Sequence, residues 1–335
     1  MIILAFESSC DETSVAVADI DGERYKILSN IVASQISMHT LYGGVVPEIA
    51  SRAHTEAISR LTYQAISEAR VTVDDIDLVA VTSNPGLIGA LLVGVGYAKG
   101  WAYAHKKPIV AVNHIKGHTA AAYYSHEGLK APFFALVASG GHTSLIDVKS
   151  PTQYITVGRT RDDAAGEAFD KIARLLGIGY PGGAAMDALA YQGNENAIKL
   201  PSPALADSID FSFSGLKTAV INHVNNERQR GNEISNADIA ASFSSTVVKA
   251  IVTTLEKAHD IYRYETLVIA GGVAANSHIR KAVSEFSEKK GIRLCIPETS
   301  LCGDNAAMIA AQGYHEYMAG NLADSNLNAF AYQVT

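Results

Sequence analysis

The stretch NHIKGH, residues 113 to 118, places His114 and His118 four positions apart directly behind an apolar run. On a helix that spacing puts both imidazoles on one face, close enough to share a cation. Zinc peptidases with the H-E-x-x-H pattern carry a glutamate after the first histidine to activate a metal-bound water. Ile115 stands there instead, followed by Lys116 and Gly117, so the pair offers two ligands without the base. In a chain with eleven histidines such a pair is also an ordinary surface coincidence, and a third ligand is needed to raise it. LCGDNAAMIAAQGYHEY supplies one: Asp304 falls at an expected helix N-cap before small and apolar residues, where it can equally be only a cap. His114, His118 and Asp304 together would form a facial set with open positions, suited to Fe(II) or Zn(II) and to ligation by a substrate oxygen.

Two further runs are rich in glycine. SGGH, residues 139 to 142, offers backbone N–H groups clear of side chains, a nest for a phosphate or oxyanion. In LVIAGGVAANSHIR an apolar strand ends in two glycines and a helix is expected to start near Ala274, with Asn276 in its first turn. Glycines admit a flat ligand to the backbone, and an asparagine can hydrogen-bond a base or ribose. A ligand-free strand-to-helix turn has the same pattern. Neither run is G-x-G-x-x-G or G-x-x-x-x-G-K-[ST], so dinucleotide-fold and P-loop readings lack support.

The elements around these runs occur twice. IILAFESS is a short apolar strand into a polar turn, and TSVAVADIDGERYKILSNIV reads as two strands around an Asp-Gly turn. FFALVASGGHTSLIDVKSPTQYITVG repeats the scheme of strand, Ser/Gly-rich turn, Thr-led strand and third strand. Between them PEIASRAHTEAISRLTYQAISEA is an amphipathic helix, IDLVAVTSNPG a strand and turn, and GALLVGVGYAKGWAYAHK a helix of small residues. Such alternation implies helix-covered sheets. The expected fold is α/β, with two related lobes of the superfold of actin, heat-shock ATPases and sugar kinases facing each other over an interlobe cleft. An unrelated two-domain α/β enzyme is the alternative. The first lobe is expected over residues 1–130, completed by a C-terminal helix within 305–330, and the second over 131–304.

Composition bounds the setting. At 335 residues and 48% hydrophobic, the chain can bury two ordinary cores. MIILAF meets Glu7 before a signal-length segment develops, and no run reaches the roughly 18 apolar residues of a spanning helix, so a soluble, cytoplasmic protein without a membrane partner is expected. Cys10, Cys295 and Cys302 form no close pair, which suggests neither a disulfide framework nor a thiolate zinc cage. A net charge of −7 gives no support to a free-standing nucleic-acid binder, since phosphate neutralisation needs clustered Lys and Arg. EFSEKKGIR and NNERQRG, the densest basic stretches, read as solvated helix ends.

Taken with ESSCDETSVAV, YGGVVPEIASRAH, NPGLIGALLVG, DDAAGEAFDKIARLLG, YPGG and FSFSGLKTAV, the stretches VNHIKGH, ASGGHT, AGGVAAN and CGDNAAMIA run in the order of a known family. From the first strand to CGDNAAMIA the chain resembles the tRNA N6-adenosine threonylcarbamoyltransferases, the TsaD/Gcp family, once described as O-sialoglycoprotein endopeptidases. The resemblance implies transfer of threonylcarbamoyl from threonylcarbamoyl-adenylate to N6 of the adenosine at position 37 in tRNAs reading codons that begin with A, with release of AMP. It implies His114, His118 and Asp304 as ligands of one Fe(2+) per subunit, with Zn(2+) the alternative. Substrate contacts are implied at Val137, Ala138, Ser139, Gly140, Gly141, Asp170, Gly183, Asp187 and Asn276. Lys116 and Thr119 depart from the family, which more often has glutamate and an aliphatic residue there. Bacterial members work with a smaller paralogue, TsaB, and a P-loop ATPase, TsaE. A composite RNA surface would reconcile the acidic charge with a tRNA substrate, and the small residues of GLIGALLVGVGYAKG are the expected dimerisation face.

Chemistry for these positions follows from their neighbours. In GEAFDKIARLLG the residues Ala168, Phe169, Ile172, Ala173 and Leu176 mark a buried stripe, and Asp170 lies off it, able to grip ribose or substrate hydroxyls. Gly183 and Asp187 are four apart, so a helix beginning at YPGG sets backbone and carboxylate on one side of a ligand. Asp11 and Glu12, in the first hairpin's turn, are the acids expected to take the N6 proton or order the reacting groups, because a paired acid can have one pKa raised toward neutrality. An acidic β-turn is the plain alternative. The rival functions are a nucleotide-gated binding or regulatory protein with a structural metal, a metallopeptidase, and a kinase.

Overall fold

In β1 (Ile2–Glu7) the side chains on both faces are buried, which explains why the strand reads as an unbroken apolar run. Ile3 and Ala5 face one core, and Leu4 and Phe6 face another. The computed structural model describes residues 1–332. They form two compact units, one of residues 1–131, 149–154 and Ile296 onward, the other of residues 132–148 and 155–295.

In the first unit β2 (Glu12–Asp21) pairs antiparallel with β1 and with β3 (Arg24–Ser34) around Gly22, whose φ of 60° suits a hairpin turn. A short helix α1 (Ile36–Thr40) leads to α2 (Pro47–Ala69), opened by proline at its start and matching the amphipathic segment read from sequence. Next come β4 (Leu78–Asn84), α3 (Ile88–His105), β5 (Ile109–Asn113), α4 (His114–Ala120) and α5 (Ala122–Ser125). The sheet order is β3-β2-β1-β4-β5, with β4 and β5 parallel to β1.

The second unit repeats that plan. It contains β6 (Phe133–Ala138), β7 (Thr143–Ser150) and β8 (Gln153–Arg159) apart from their ends within 149–154, then α6 (Ala165–Leu175), α7 (Gly183–Ala190), α8 (Ser214–Arg230), α9 (Asn236–Tyr262), β9 (Thr266–Ala270), α10 (Ser277–Lys290) and β10 (Arg293–Cys295). Its sheet order is β10-β9-β6-β7-β8, with β9 parallel to β6. Among the described helices α9 alone is long and apolar enough to cross a membrane, and it is a mostly buried core helix of this unit.

The last helix, α11 (Ala306–Met318), returns to the first unit, where Ala306 to Ala310 join Ile3, Ala5, Leu78 and Ala80 in one core. The chain rejoins that unit at Ile296, not at residue 305. Hydrogen bonds explain the earlier return: His126 Nε2 meets Ile296 O at 2.8 Å, and Glu298 N donates to Ser125 Oγ at 3.1 Å. Asp304, expected in the second lobe, therefore belongs to the same unit as both histidines.

Candidate functional site

Strand β5 delivers Asn113 as the cap of α4: its Oδ1 accepts from the N–H groups of Ile115 (2.9 Å) and Lys116 (3.2 Å). The next residue is His114, and one turn later comes His118, the two rings 4.5 Å apart. A Cβ on Gly117 would stand 2.7 Å from Ile309 Cδ1, so the glycine lets α11 press against α4. That packing brings Asp304 to the histidines. Its Oδ1 lies 3.5 Å from His114 Nε2 and 3.2 Å from His118 Nε2, and one donor atom from each residue falls within 4.8 Å of the others. Asp304 is not the N-cap of α11. Asn305 takes that place, accepting from Met308 N at 3.1 Å while its amide donates to Leu301 O and Gly303 O.

Behind His114 stands Glu7, a residue the sequence reading passed over. Its Oε2 accepts from His114 Nδ1 at 3.0 Å and from the Thr82 hydroxyl at 2.6 Å, and Ser9 Oγ lies 3.1 Å from the same Nδ1. The available signal was a lone carboxylate closing a fully apolar strand. With Nδ1–H given to Glu7, His114 turns an Nε2 lone pair toward the Asp304 oxygen, an arrangement that calls for positive charge between them. Burial opposes that charge, but Asp304 and Glu7 overcome it and raise His114 to about 9. Burial likewise raises Glu7, yet the His114 charge and the hydrogen bonds from His114 and Thr82 together outweigh it and the net shift is downward. Burial and then the charge on His114 lower His118, whose Nε2 misses hydrogen-bond alignment with any partner among the described residues. The donor set thus fits a divalent cation: two buried imidazoles, one carboxylate, and an orienting carboxylate behind the first ring.

Asp11 ends the β1–β2 turn, 7% exposed, and Glu12 is the first residue of β2. Burial, then the charges of Asp304 and Asp11, push Glu12 up to about 9. Burial and Asp11 push the Cys10 thiol well up, which makes it a poor nucleophile. Glu12 thus lies within the electrostatic reach of both Asp11 and Asp304. The departures at Lys116 and Thr119 are accommodated locally. Lys116 Nζ donates to Thr152 O at 2.8 Å and lies 3.5 Å from Glu316, while the Thr119 hydroxyl bonds Ile115 O at 3.2 Å.

In the second unit Val137 and Ala138 end β6 with buried side chains, so they offer backbone only. Ser139 N donates to His142 O at 2.8 Å and Ser139 Oγ accepts from His142 N at 3.2 Å, closing the turn around Gly140 and Gly141. A Cβ on Gly166 would come within 2.6 Å of Ser139 O, so that glycine seats the start of α6 on the turn. Gly271, at φ 91°, lies against Ala138 O in the same way. Asp170 Oδ1 accepts from Gly182 N at 2.7 Å, just ahead of Gly183, the first residue of α7. Both oxygens of Asp187 accept from Ser277 N, at 3.2 and 3.1 Å. Asn276 is the N-cap of α10, with Oδ1 accepting from Ile279 N at 3.0 Å, and not a residue of the first turn. A 3₁₀ turn over Gly272–Ala275 uses up the residues expected to begin the helix. The structure links these positions in series, turn to α6 to α7 to α10, and each of the three side chains also has a structural task.

Two mixed sheets of the same strand order place the chain in the superfold of actin, the heat-shock ATPases and sugar kinases. Solved structures with the same fold include component A of the (R)-2-hydroxyglutaryl-CoA dehydratase of Acidaminococcus fermentans, at 14% identity and TM-score 0.56 over 95% of this chain and 99% of that one. The ROK hexokinase of Thermus thermophilus matches at 14% identity and TM-score 0.50, over 96% and 100% of the two chains. Residues 26–311 match the model of the family TsaD, tRNA N6-adenosine threonylcarbamoyltransferase. A relative of that name from Clostridium novyi (strain NT) is 51% identical over 329 residues, 98% of this chain and 96% of its own. The chain belongs to the TsaD family of tRNA N6-adenosine threonylcarbamoyltransferases.

Proposed function

We propose that this chain transfers the threonylcarbamoyl group of threonylcarbamoyl-adenylate to N6 of adenosine 37 in tRNAs reading codons that begin with A, in the cytoplasm. The observation that carries the reading is the convergence of His114, His118 and Asp304, oriented by Glu7, in a member of this family. These three would hold one divalent cation, iron first and zinc as the alternative, and such a cation when bound supplies Lewis-acid charge for an acyl oxygen.

The residues of the chain supply the rest. Adenine N6 is a poor nucleophile, its lone pair being delocalised into the ring, so the amine and the acyl carbon must be held in line. As the N6–C bond forms, the bond from carbon to the AMP phosphate oxygen breaks, and the N6 proton passes to a carboxylate of the Asp11–Glu12 pair. The N–H groups of Gly140 and Gly141, in the turn that Ser139 and His142 close, receive the charge appearing on AMP. Asp170, Gly183, Asp187 and Asn276 line up the nucleoside and threonyl ends of the donor. TsaB and TsaE are the proposed partners, TsaB seated on α3, where Ile88, Leu92 and Tyr103 are exposed one or more turns apart. Co-elution of the purified pair at micromolar concentration is expected; separate peaks would remove that face from consideration.

The function is tested by incubating the chain and its partners with labelled threonine, bicarbonate, ATP, the adenylate-forming enzyme and unmodified tRNA. Label in the RNA at adenosine is expected. Nucleotide binding without any transfer would favour a regulatory protein instead.

A further inference from the structure

Residues 8–11 of the β1–β2 turn have no helix or ladder to fix their backbone, yet they carry Asp11 and lead directly into Glu12 at the start of β2. Behind it the chain buries a set of polar side chains where an apolar core is the cheaper choice: Thr13, Gln35, His39 and His54 are all no more than 2% exposed. His54, on the inner face of α2, meets the Thr13 hydroxyl through Nδ1 at 2.7 Å and the Cys10 carbonyl through Nε2 at 3.0 Å. A carbonyl only accepts, so Nε2 carries the proton and Nδ1 accepts from the threonine. The neighbouring carbonyl, Asp11 O, accepts from Gln35 N at 2.9 Å. The side chain of Gln35 is held in turn by His39 Nε2 at 3.2 Å, with His39 Nδ1 accepting from Val46 N at 3.3 Å.

Such a network is costly unless every member is satisfied, and when satisfied it fixes one geometry. Its effect on the turn follows from the peptide plane. In a trans peptide the carbonyl and the next N–H point in opposite directions, so drawing Cys10 O toward α2 turns the Asp11 N–H away from that helix. On the far side, Ser9 and Glu7 tie the same segment to His114.

We propose that His54 is the positioning residue that fixes the Cys10–Thr13 segment, and with it the carboxylates of Asp11 and Glu12, relative to His114 and Asp304. This rests on the reading in which those acids serve threonylcarbamoyl transfer. Burial lowers the proton affinity of His54 and so favours the neutral ring, in which the Cys10 carbonyl holds the proton on Nε2.

The test compares His54→Leu with His54→Gln, whose carboxamide N–H replaces the imidazole Nε2–H toward Cys10. His54→Leu is expected to lower kcat for labelled-threonine incorporation about ten- to hundredfold, the scale of a small misplacement of reacting groups, while KM for tRNA stays unchanged. His54→Gln is expected to recover most of the rate. Metal bound per chain is expected to be equal in all three proteins. Amide hydrogen exchange over residues 8–13 should rise in the leucine variant and return toward normal in the glutamine variant, a readout independent of transfer. Unchanged exchange and kcat in His54→Leu would overturn the proposal, as would a rate loss that only follows lost metal. Should His54→Leu fail to fold, Thr13→Val removes the hydroxyl at Nδ1 alone and must raise exchange in the same segment; no rise there overturns the clamp. If the unaltered chain transfers nothing, the functional reading fails, and exchange still decides whether His54 holds the turn.

Discussion

The two units share one backbone plan and differ in how the turn after the first strand is held. In the first unit, ESSCDE is braced by charge and buried hydrogen bonds: Glu7 on His114, His54 on Cys10 O, Gln35 on Asp11 O. In the second, SGGH is braced by close backbone contact, through Gly166 at Ser139 O and Gly271 at Ala138 O. A braced acidic turn can set a carboxylate beside a cation held by other residues and accept a proton. A glycine-framed turn, closed by the N–H groups of Ser139 and His142, can offer those of Gly140 and Gly141 to an anion. One strand order thus supports opposite chemistries because the turn residues and their supports, not the sheet, set the sign of the local field.

Removing a ligand from the first unit should separate the two most sharply. His118→Ala is expected to lower bound metal and transfer together by about a hundredfold or more, with adenylate retained by the second unit. Metal analysis of anaerobically prepared protein beside the labelled-threonine assay checks it, and full transfer without metal would remove the cation from catalysis. Glu7→Gln is milder, because the ligands remain while the orienting charge is lost. Metal affinity should fall about ten- to hundredfold, measured by competition with a chelator. In the second unit, Gly166→Ala forces Ser139 and Gly140 aside, and transfer should fall about tenfold while metal content stays normal. Metal loss in that variant would mean the two turns are not independent.

The smallest effects lie in acid stability, where the units should respond in different windows. Burial lowers His315, in the first unit, to about 4. The unfolded chain takes up that proton near the ordinary histidine pKa, so stability falls as pH drops from about 6.5 to about 4, by at most about 3 kcal/mol, and levels off below. Thermal unfolding of His315→Gln against pH should lack that slope. In the second unit burial raises Asp163, but Lys217 and Lys171 outweigh it and hold its carboxyl below the usual range. That contribution is present at neutral pH and is lost only as pH falls through the depressed value. Lys217→Met should therefore cost about 1 kcal/mol at neutral pH, as expected for a partly buried surface pair, and nothing at strongly acidic pH.

Local pattern made much of this readable. The Asp21–Gly22 turn, the span of α2, and the doubled strand scheme follow from residue type and period alone, because hairpin turns and amphipathic faces are settled within a few residues. The histidine pair was readable for the same reason, since four residues on a helix is one turn. Asp304 was placed one residue off its role. Which of two adjacent side chains caps a helix depends on the backbone between Leu301 and Gly303, which Asn305 bridges. Asn276 was mistaken similarly, because a 3₁₀ turn delays α10.

What the sequence determined by itself was therefore the plan of both sheets, the family, and the residues able to ligate a cation. Only the tertiary structure decided that Glu7 stands behind His114, that His54 holds the Cys10 carbonyl, and that Asp304 sits in the unit of the histidines. Those facts depend on contacts between residues up to about two hundred positions apart, set by glycine-sized gaps such as Gly117 and by which strand lies beside which. No local propensity encodes such contacts, since their free energy appears only when the packed core brings the partners together.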